Sequence, residues 1–322
     1  MRLRKILYPT DFSPCSRQAF AHAASLARRF GAELHVFHAV TQSGQEPYDP
    51  MFYLAAAEEA HAEATRAVAG ELAKLALDPL ADGLTVVTSQ RRDVLAGPAI
   101  LDYAHERDID LVVMGTHGRR NVSRLLLGSV AEEVVRRSSC PVLTLRACED
   151  DPGERLPMPR HLLVPFDFSP PARAAFADAA DLARHYGARL HLLHVVAEPQ
   201  WPEIYGFRGF AELAQQRERL ILEVEARLRA AADRIAPGLP CTTDVRVGRP
   251  ASEIVAFAAR PEIDLVVMSS RGLTGVKRLL FGSTAQEVVR LADKPVLVVK
   301  PHETAVALPE MLDVELVEAQ IR

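Results

Sequence analysis

The chain of 322 residues lacks the features that mark several large protein classes. Its four cysteines, Cys15, Cys140, Cys148 and Cys241, show neither C-x-x-C spacing nor dense pairing. That excludes a disulfide framework and a zinc cluster, and it suits a reduced, intracellular chain. Nowhere do about 18 uncharged apolar residues run together, so no spanning helix is expected. The start, Met1-Arg2-Leu3-Arg4-Lys5 and then Ile6-Leu7-Tyr8-Pro9, holds an apolar stretch too short for an export signal. A formal charge of -4, from 38 basic and 42 acidic side chains, argues against affinity won by neutralising a phosphate backbone. The expectation is a soluble, cytoplasmic protein with neither membrane nor nucleic acid as partner. Catalytic signatures are also missing. There is no G-x4-G-K-[S/T] loop, no G-x-G-x-x-G after the first strand and no G-x-S-x-G elbow.

What is present is ordinary in amount and unusual in arrangement. The hydrophobic share of 48% and charged share of 25% are globular values, and the length suggests two domains, each large enough for its own core. The sequence contains itself twice. Pro9-Thr10-Asp11-Phe12-Ser13-Pro14 returns as Pro165-Phe166-Asp167-Phe168-Ser169-Pro170, an offset of 156. Ile109-Asp110-Leu111-Val112-Val113-Met114 returns unchanged as Ile263-Asp264-Leu265-Val266-Val267-Met268, an offset of 154. Gly31-Ala32, His38, Gly128-Ser129 and Pro141-Val142-Leu143 also recur, as Gly187-Ala188, His194, Gly282-Ser283 and Pro295-Val296-Leu297. This organises the chain as a first domain over 1–147, a polar, Pro-punctuated linker over 148–159, a second domain over 160–301 and a tail over 302–322.

Each copy reads as alternating strands and helices. In the first, strands are expected at 5–9, 34–40, 84–88, 110–114 and 142–145, with helices near 14–30, 51–77, 96–107 and 129–137. In the second, strands fall near 161–165, 190–196, 241–247, 264–268 and 296–300. Ser13-Pro14 supplies an N-cap followed by proline at the first helical position, and Gly31 is placed to end that helix. Such alternation implies an α/β fold, a parallel sheet with right-handed crossovers. Five strands per copy suit a doubly wound sheet, whose ligands bind outside the strand C-terminal ends.

Two segments therefore matter most. After the fourth strand comes Gly115-Thr116-His117-Gly118, then nine residues, then Gly128-Ser129. Glycine lets main-chain amides approach an anion with no Cβ in the way, and the opening turn of a helix offers unpaired N–H groups and the positive end of a dipole. Together they make a phosphate cradle. The competing reading is a capping box, Ser129-Val130-Ala131-Glu132 and Ser283-Thr284-Ala285-Gln286, which would account for each serine without a ligand. The composite spacing favours phosphate. After the first strand, Asp11 and Asp167 stand beside the same crevice, either holding a base or ribose or capping the turn into the first helix. His35 and His38, with His191 and His194, resemble metal pairs, but residues three apart on a strand point to opposite faces, so mouth or core-edge histidines are expected. Arg119, Arg120 and Arg124, with Arg271, Lys277 and Arg278, surround the loops as phosphate partners or solvated charge. Only Asp11, Asp167 and His117 offer a base in the crevice, and no catalytic residue is assigned.

These residues resemble the universal stress protein family in its tandem form, over about 3–146 and 160–300. The G-x2-G-x9-G-[S/T] of its ATP-binding members stands intact at Gly115, Gly118, Gly128 and Ser129, and its opening P-x-D-x-S is met in both copies. The resemblance implies two flavodoxin-like (Rossmann-like) domains of strand order 3-2-1-4-5, paired through their fifth strands as an intramolecular pseudo-dimer, with a further homodimer possible. It implies that Asp11 and the backbone of Val40 flank adenine, that Gly115 and Gly118 approach ribose and phosphates, and that Gly128, Ser129 and Val130 receive the phosphate tail. Pro9, Thr10, Met114 and His117 complete the first site. Asp167, Val196, Gly272, Gly282, Ser283 and Thr284, with Pro165, Met268, Ser269 and Arg271, form the second. Ser269 replaces the first glycine, and its Cβ raises the question of a different turn. Gly248-Arg249-Pro250 matches the family's G-x-P before the third helix, whereas Asp93-Val94-Leu95-Ala96 does not.

The function expected is a stress-response protein that binds ATP or another adenine nucleotide, with Mg²⁺ arriving on the nucleotide, slow hydrolysis at most, and an unknown protein partner reading occupancy. The alternatives are a nucleotide-independent interaction scaffold, or an adenylate-chemistry enzyme, which the absence of SGGxDS- and HIGH-type signatures disfavours.

Overall fold

A computed structural model describes residues 1–41, 50–116, 127–146, 157–197, 210–272 and 281–300. His117, Gly118, the basic residues Arg119, Arg120, Arg124, Lys277 and Arg278, most of the 148–159 linker and the 302–322 tail lie outside the described residues. The first half runs β1 (Lys5–Pro9), α1 (Pro14–Phe30), β2 (Glu33–Thr41), α2 (Pro50–Ala76), β3 (Val86–Asp93), α3 (Ala96–Glu106), β4 (Leu111–Gly115), α4 (Ser129–Arg137) and β5 (Val142–Leu145). The second repeats it: β6 (His161–Pro165), α5 (Pro170–Tyr186), β7 (Arg189–Ala197), α6 (Phe210–Ile235), β8 (Cys241–Gly248), α7 (Pro250–Ala258), β9 (Leu265–Ser269), α8 (Ser283–Leu291) and β10 (Val296–Val299).

Local chemistry explains the first helix of each half. The side chains of Ser13 and Ser169 accept the amides of Ser16 and Ala172, and a proline follows each cap. Gly31 and Gly187 close these helices in the left-handed region, both at φ 65°, and donate their N–H groups to the carbonyls of Ala27 and Ala183.

The strands form one ten-stranded sheet of order β3-β2-β1-β4-β5-β10-β9-β6-β7-β8. Each half has the order 3-2-1-4-5, all parallel, and the halves meet where β5 and β10 pair antiparallel. Leu143 faces Leu297, its own repeat counterpart, while Val142 faces Val298 and Thr144 faces Val296. A pseudo-two-fold axis therefore passes through the junction. The apolar edges that each half would otherwise expose are used against one another, which removes an aggregation hazard. Because the junction is antiparallel, the strand C-terminal ends of the two halves lie at opposite ends of the sheet.

Helices cover both faces. One buried layer joins the sheet to α1, α2, α5 and α6, and the other joins it to α3, α4, α7 and α8. Each layer draws residues from both halves; Leu143 and Leu297 lie in one, Val142 and Val296 in the other. Burial of each such Leu or Val is worth about 1.5–3 kcal/mol, so the core does not stop at the junction. The structure differs from the sequence reading most at β3, expected at 84–88 and found at Val86–Asp93. It is an edge strand paired only with β2, and its second half, Ser89-Gln90-Arg91-Arg92, carries no apolar alternation.

Candidate functional site

The crevice of each half is built from the end of its first strand. Thr10 donates its amide to the Phe37 carbonyl at 2.8 Å and ends the pairing of β1 with β2. β2 continues past that point to Thr41, so Val40 stands beyond the end of β1. In the second half, Phe166 donates to the Leu193 carbonyl at 2.8 Å, and Val196 stands likewise beyond Pro165. The carboxylates come next. One oxygen of Asp11 accepts the Ser13 amide at 3.0 Å, and one oxygen of Asp167 accepts the Ser169 amide at 3.0 Å. The turn-capping reading of both aspartates is thus present in the geometry, through a single oxygen each.

Two residues here escaped the sequence reading. Phe12 and Phe168, directly after the aspartates, sit at φ 61° and 64°, a left-handed conformation uncommon for a bulky side chain. Each ring lies against a histidine within the next strand, Phe12 on His38 at 4.8 Å and Phe168 on His194 at 5.1 Å. Those histidines place Nδ1 at 2.6 Å from the Thr10 carbonyl and 2.7 Å from the Phe166 carbonyl. A carbonyl only accepts, so Nδ1 carries the proton in both. His35 instead meets the Tyr103 hydroxyl and Glu33, and His191 meets His161 and Thr242. The H-x-x-H pairs are split between two environments, and no group of three or more metal-ligating side chains occurs among the described residues. Nothing in the sequence announced the left-handed phenylalanines except that both copies keep them.

Beneath the first crevice lies a buried hydroxyl cluster. The Ser16 hydroxyl donates to the Thr10 hydroxyl at 2.8 Å, and the Tyr8 hydroxyl donates to the Ser16 carbonyl at 2.8 Å. Burial pushes the Tyr8 phenol up to about 12. The second half has Phe166 in place of Thr10, packed on Phe168 and Phe176.

The other wall is the segment after the fourth strand. Thr116 donates to the Leu145 carbonyl at 2.7 Å, and Gly128 donates to the Thr116 carbonyl at 2.8 Å, so the loop's two ends meet at the crevice. Ser270 and Gly282 repeat both bonds, to Val299 and Ser270, at 2.9 Å each. Met114 and Met268 are buried in the core, so only their backbone borders the crevice.

The glycines have identifiable steric reasons. A Cβ on Gly115 would stand 2.7 Å from the Cys15 Sγ, in the first turn of α1. A Cβ on Gly272 would stand 2.6 Å from the second oxygen of Asp167. A Cβ on Gly282 would stand 3.3 Å from the Ser270 carbonyl oxygen. Asp167, Ser270, Arg271, Gly272 and Gly282 are thereby brought together in the second half. Ser269 does not take a positive φ, and neither does Gly115. The expected conformational difficulty at Ser269 is absent; the serine turns its hydroxyl onto the Arg271 carbonyl. The obstacle in the first half is Cys15, whose repeat counterpart is Pro171.

The helix starts show whether these serines act as caps. α4 and α8 begin behind Gly128 and Gly282 as N-caps, and neither has a side-chain cap. Ser129 and Ser283 are first helical residues, so the capping-box account of these serines is not what the structure forms. α3 and α7 also lack a side-chain cap, behind Leu95 and Arg249. Of the starts with a described N-cap, only α4 and α8 pair an uncapped first turn with a glycine that leaves it open. Val130 and Thr284 lie in those turns.

A cavity of about 380 Å³ lies elsewhere, between α1 and α5 over Leu143, Leu145 and Leu297. It is not part of either glycine crevice.

Comparison with known proteins gives the family and the fold. The sequence model described as the Universal stress protein family matches twice, at residues 2–146 and 158–300. The curated universal stress protein Rv2005c of Mycobacterium tuberculosis is 33% identical over 205 residues, which is 63% of this chain and 65% of that protein's length, just under two thirds. A universal stress protein of Mycolicibacterium smegmatis is 27% identical over 301 residues, covering 92% of this chain and 97% of that protein. The crystal structure of a universal stress protein from Archaeoglobus fulgidus aligns with TM-score 0.63 at 21% identity, over 93% of this chain and 99% of that one, a likeness of fold. No helix among the described residues is long and apolar enough to cross a membrane. With two family matches spanning nearly all of both repeats, the chain belongs to the universal stress protein family as two domains in tandem.

Proposed function

We propose that this protein binds ATP, or another adenine nucleotide, in one or both glycine crevices, and acts as a cytoplasmic stress-response regulator whose occupancy a protein partner reads. The observation that carries the reading is the pair of helix starts at Gly128 and Gly282, open and without a side-chain cap, beside glycines whose main chain has no room for a Cβ. Main-chain amides at such a start favour a polyanion through unpaired N–H groups and the helix dipole. The residues present fit a nucleotide. Ser129 and Val130, or Ser283 and Thr284, would take phosphate oxygens. Asp11 with Val40, or Asp167 with Val196, would border the base and ribose. Arg271 adds charge on the second side. The nucleotide supplies a polyphosphate with its own Mg²⁺, and no residue is assigned to activate water, so turnover is slow at most.

Equilibrium dialysis with millimolar ATP and Mg²⁺ tests this, using wild type and the Gly118→Val, Gly272→Val double variant. Saturable binding that the double variant loses supports the reading. Absence of binding by the wild type, or equal binding by both proteins, refutes it.

A further inference from the structure

The junction carries a reciprocal contact that the pairing of β5 with β10 does not require. The residue after β5 is Arg146, and its guanidinium donates to the Leu291 carbonyl, the last residue of α8, at 3.3 Å. The residue after β10 is Lys300, the repeat counterpart of Arg146, and its ammonium donates to the Val135 carbonyl in the last turn of α4. Each half therefore sends a cation across the junction to the C-terminal turn of the other half's uncapped helix. A cation there satisfies an end carbonyl and complements the helix dipole. α4 and α8 have nine residues each, too short to hold themselves, so their direction depends on such contacts.

The same cations adjoin the loops of their own half. Leu145 accepts the Thr116 amide, and Val299 accepts the Ser270 amide, each one residue before the crossing side chain. Burial disfavours the protonated form of Lys300, and the like charge of Arg271 adds to this. The Cys140 thiol, raised by burial, faces it from the turn after α4.

We infer that Lys300 and Arg146 are positioning residues that couple the two crevices, each aiming the phosphate-facing helix of the opposite half. This rests on the crevices being nucleotide sites. The path runs from the second crevice to the first: the Ser270 amide of its loop bonds the Val299 carbonyl, Lys300 follows Val299, and Lys300 holds the last turn of α4. Ordering of one crevice by a ligand is thereby felt at the other, and linkage makes the effect mutual.

Two readouts test it. In nucleotide-free protein, exchange of the Glu132 amide, which bonds the Gly128 carbonyl, and of the Ser138 amide, which bonds the Val134 carbonyl, is compared among wild type, Lys300→Met and Lys300→Arg. Faster exchange in Lys300→Met, restored in Lys300→Arg, is expected; equal exchange in all three overturns the inference whether or not ATP binds. In the Gly272→Val background, which isolates the first crevice, ATP affinity is then measured. Lys300→Met should weaken it by about three- to tenfold, the effect expected of a cation at a helix C-terminus. Burial lowers the Lys300 ammonium to about 8, so affinity at the first crevice should also fall as pH rises through that value, and Lys300→Arg should remove the dependence. An unchanged affinity, or a pH dependence that survives Lys300→Arg, overturns the coupling. Loss of all ATP binding in wild type refutes the nucleotide reading and, with it, the coupling, while the exchange comparison still decides the helix contact.

Discussion

Replacing Gly115 by serine imports the second half's residue into the first half's crevice, and its cost follows from one neighbour. The new Cβ would stand 2.7 Å from the Cys15 Sγ, 3.2 Å from the Cys15 carbonyl carbon and 3.3 Å from its oxygen. The first is closer than real contacts allow; the others are tight but tolerable with a shift of a few tenths of an ångström. Cys15 is buried, and its thiol donates to the Leu145 carbonyl at 3.3 Å, so it cannot swing aside freely. Neither Gly115 nor Ser269 has a positive φ, so the cost is overpacking alone, about 1–3 kcal/mol. Removing the sulfur should recover most of it. Gly115→Ser, Cys15→Ala and the double variant are compared by urea unfolding. The double variant should be more stable than the sum of the single effects predicts by about 1 kcal/mol. Additive effects, or a Gly115→Ser variant as stable as wild type, would show that the cysteine is not what demands the glycine.

Other outcomes follow from the same coordinates. Gly187 ends α5 at φ 65° in open space, so Gly187→Ala should cost about 1 kcal/mol in thermal unfolding by backbone strain alone, with nucleotide affinity unchanged. The Gln286 amide donates to the Glu132 carboxylate at 3.2 Å across the pseudo-two-fold axis. Gln286→Glu places two carboxylates there; since both groups are exposed, the loss should stay below about 1 kcal/mol and shrink as salt is added. Lys300 gives a pH signature in stability. Its folded value of about 8 lies below the ordinary 10.5, so between these limits the unfolded chain holds more protons and stability from this group rises with pH. Wild type should therefore gain on Lys300→Arg, by of the order of 1–3 kcal/mol, as pH climbs through that window in chemical denaturation. A constant difference would mean that the ammonium is not depressed.

Much of this fold was legible because both copies spell it. β1 and β5 fall at the expected residues since proline marks their ends and both faces are buried. The partnership of β5 with β10 was implied by the family resemblance, and the antiparallel pairing covers the apolar edge of each half. β3 was legible only in part, because an edge strand with one neighbour does not have to alternate apolar and polar residues. At the crevice, spacing indicated the glycines but not their neighbours. Cys15 and Gly115 are a hundred positions apart in sequence, and only folding shows that one dictates the other. Whether Gly128 or Ser129 caps α4 depends on one pair of dihedral angles; Gly128, at φ -62° and ψ 141°, is the cap. The left-handed Phe12 and Phe168 contradict local preference, as strained residues at ligand sites often do, and no propensity scale would place them. No sequence signal singled out Lys300 and Arg146, each of which the sheet brings to the opposite helix.

The central claim is that main-chain nitrogens at Ser129, Val130, Ser283 and Thr284 receive a polyphosphate. Amide-resolved NMR of the full chain during titration with ATP and Mg²⁺ observes those nitrogens directly. Saturable shifts at one or both pairs, lost on the Gly272→Val background for the second pair, are the predicted result. Silence at all four amides at millimolar ATP, or shifts confined to other regions, would contradict it.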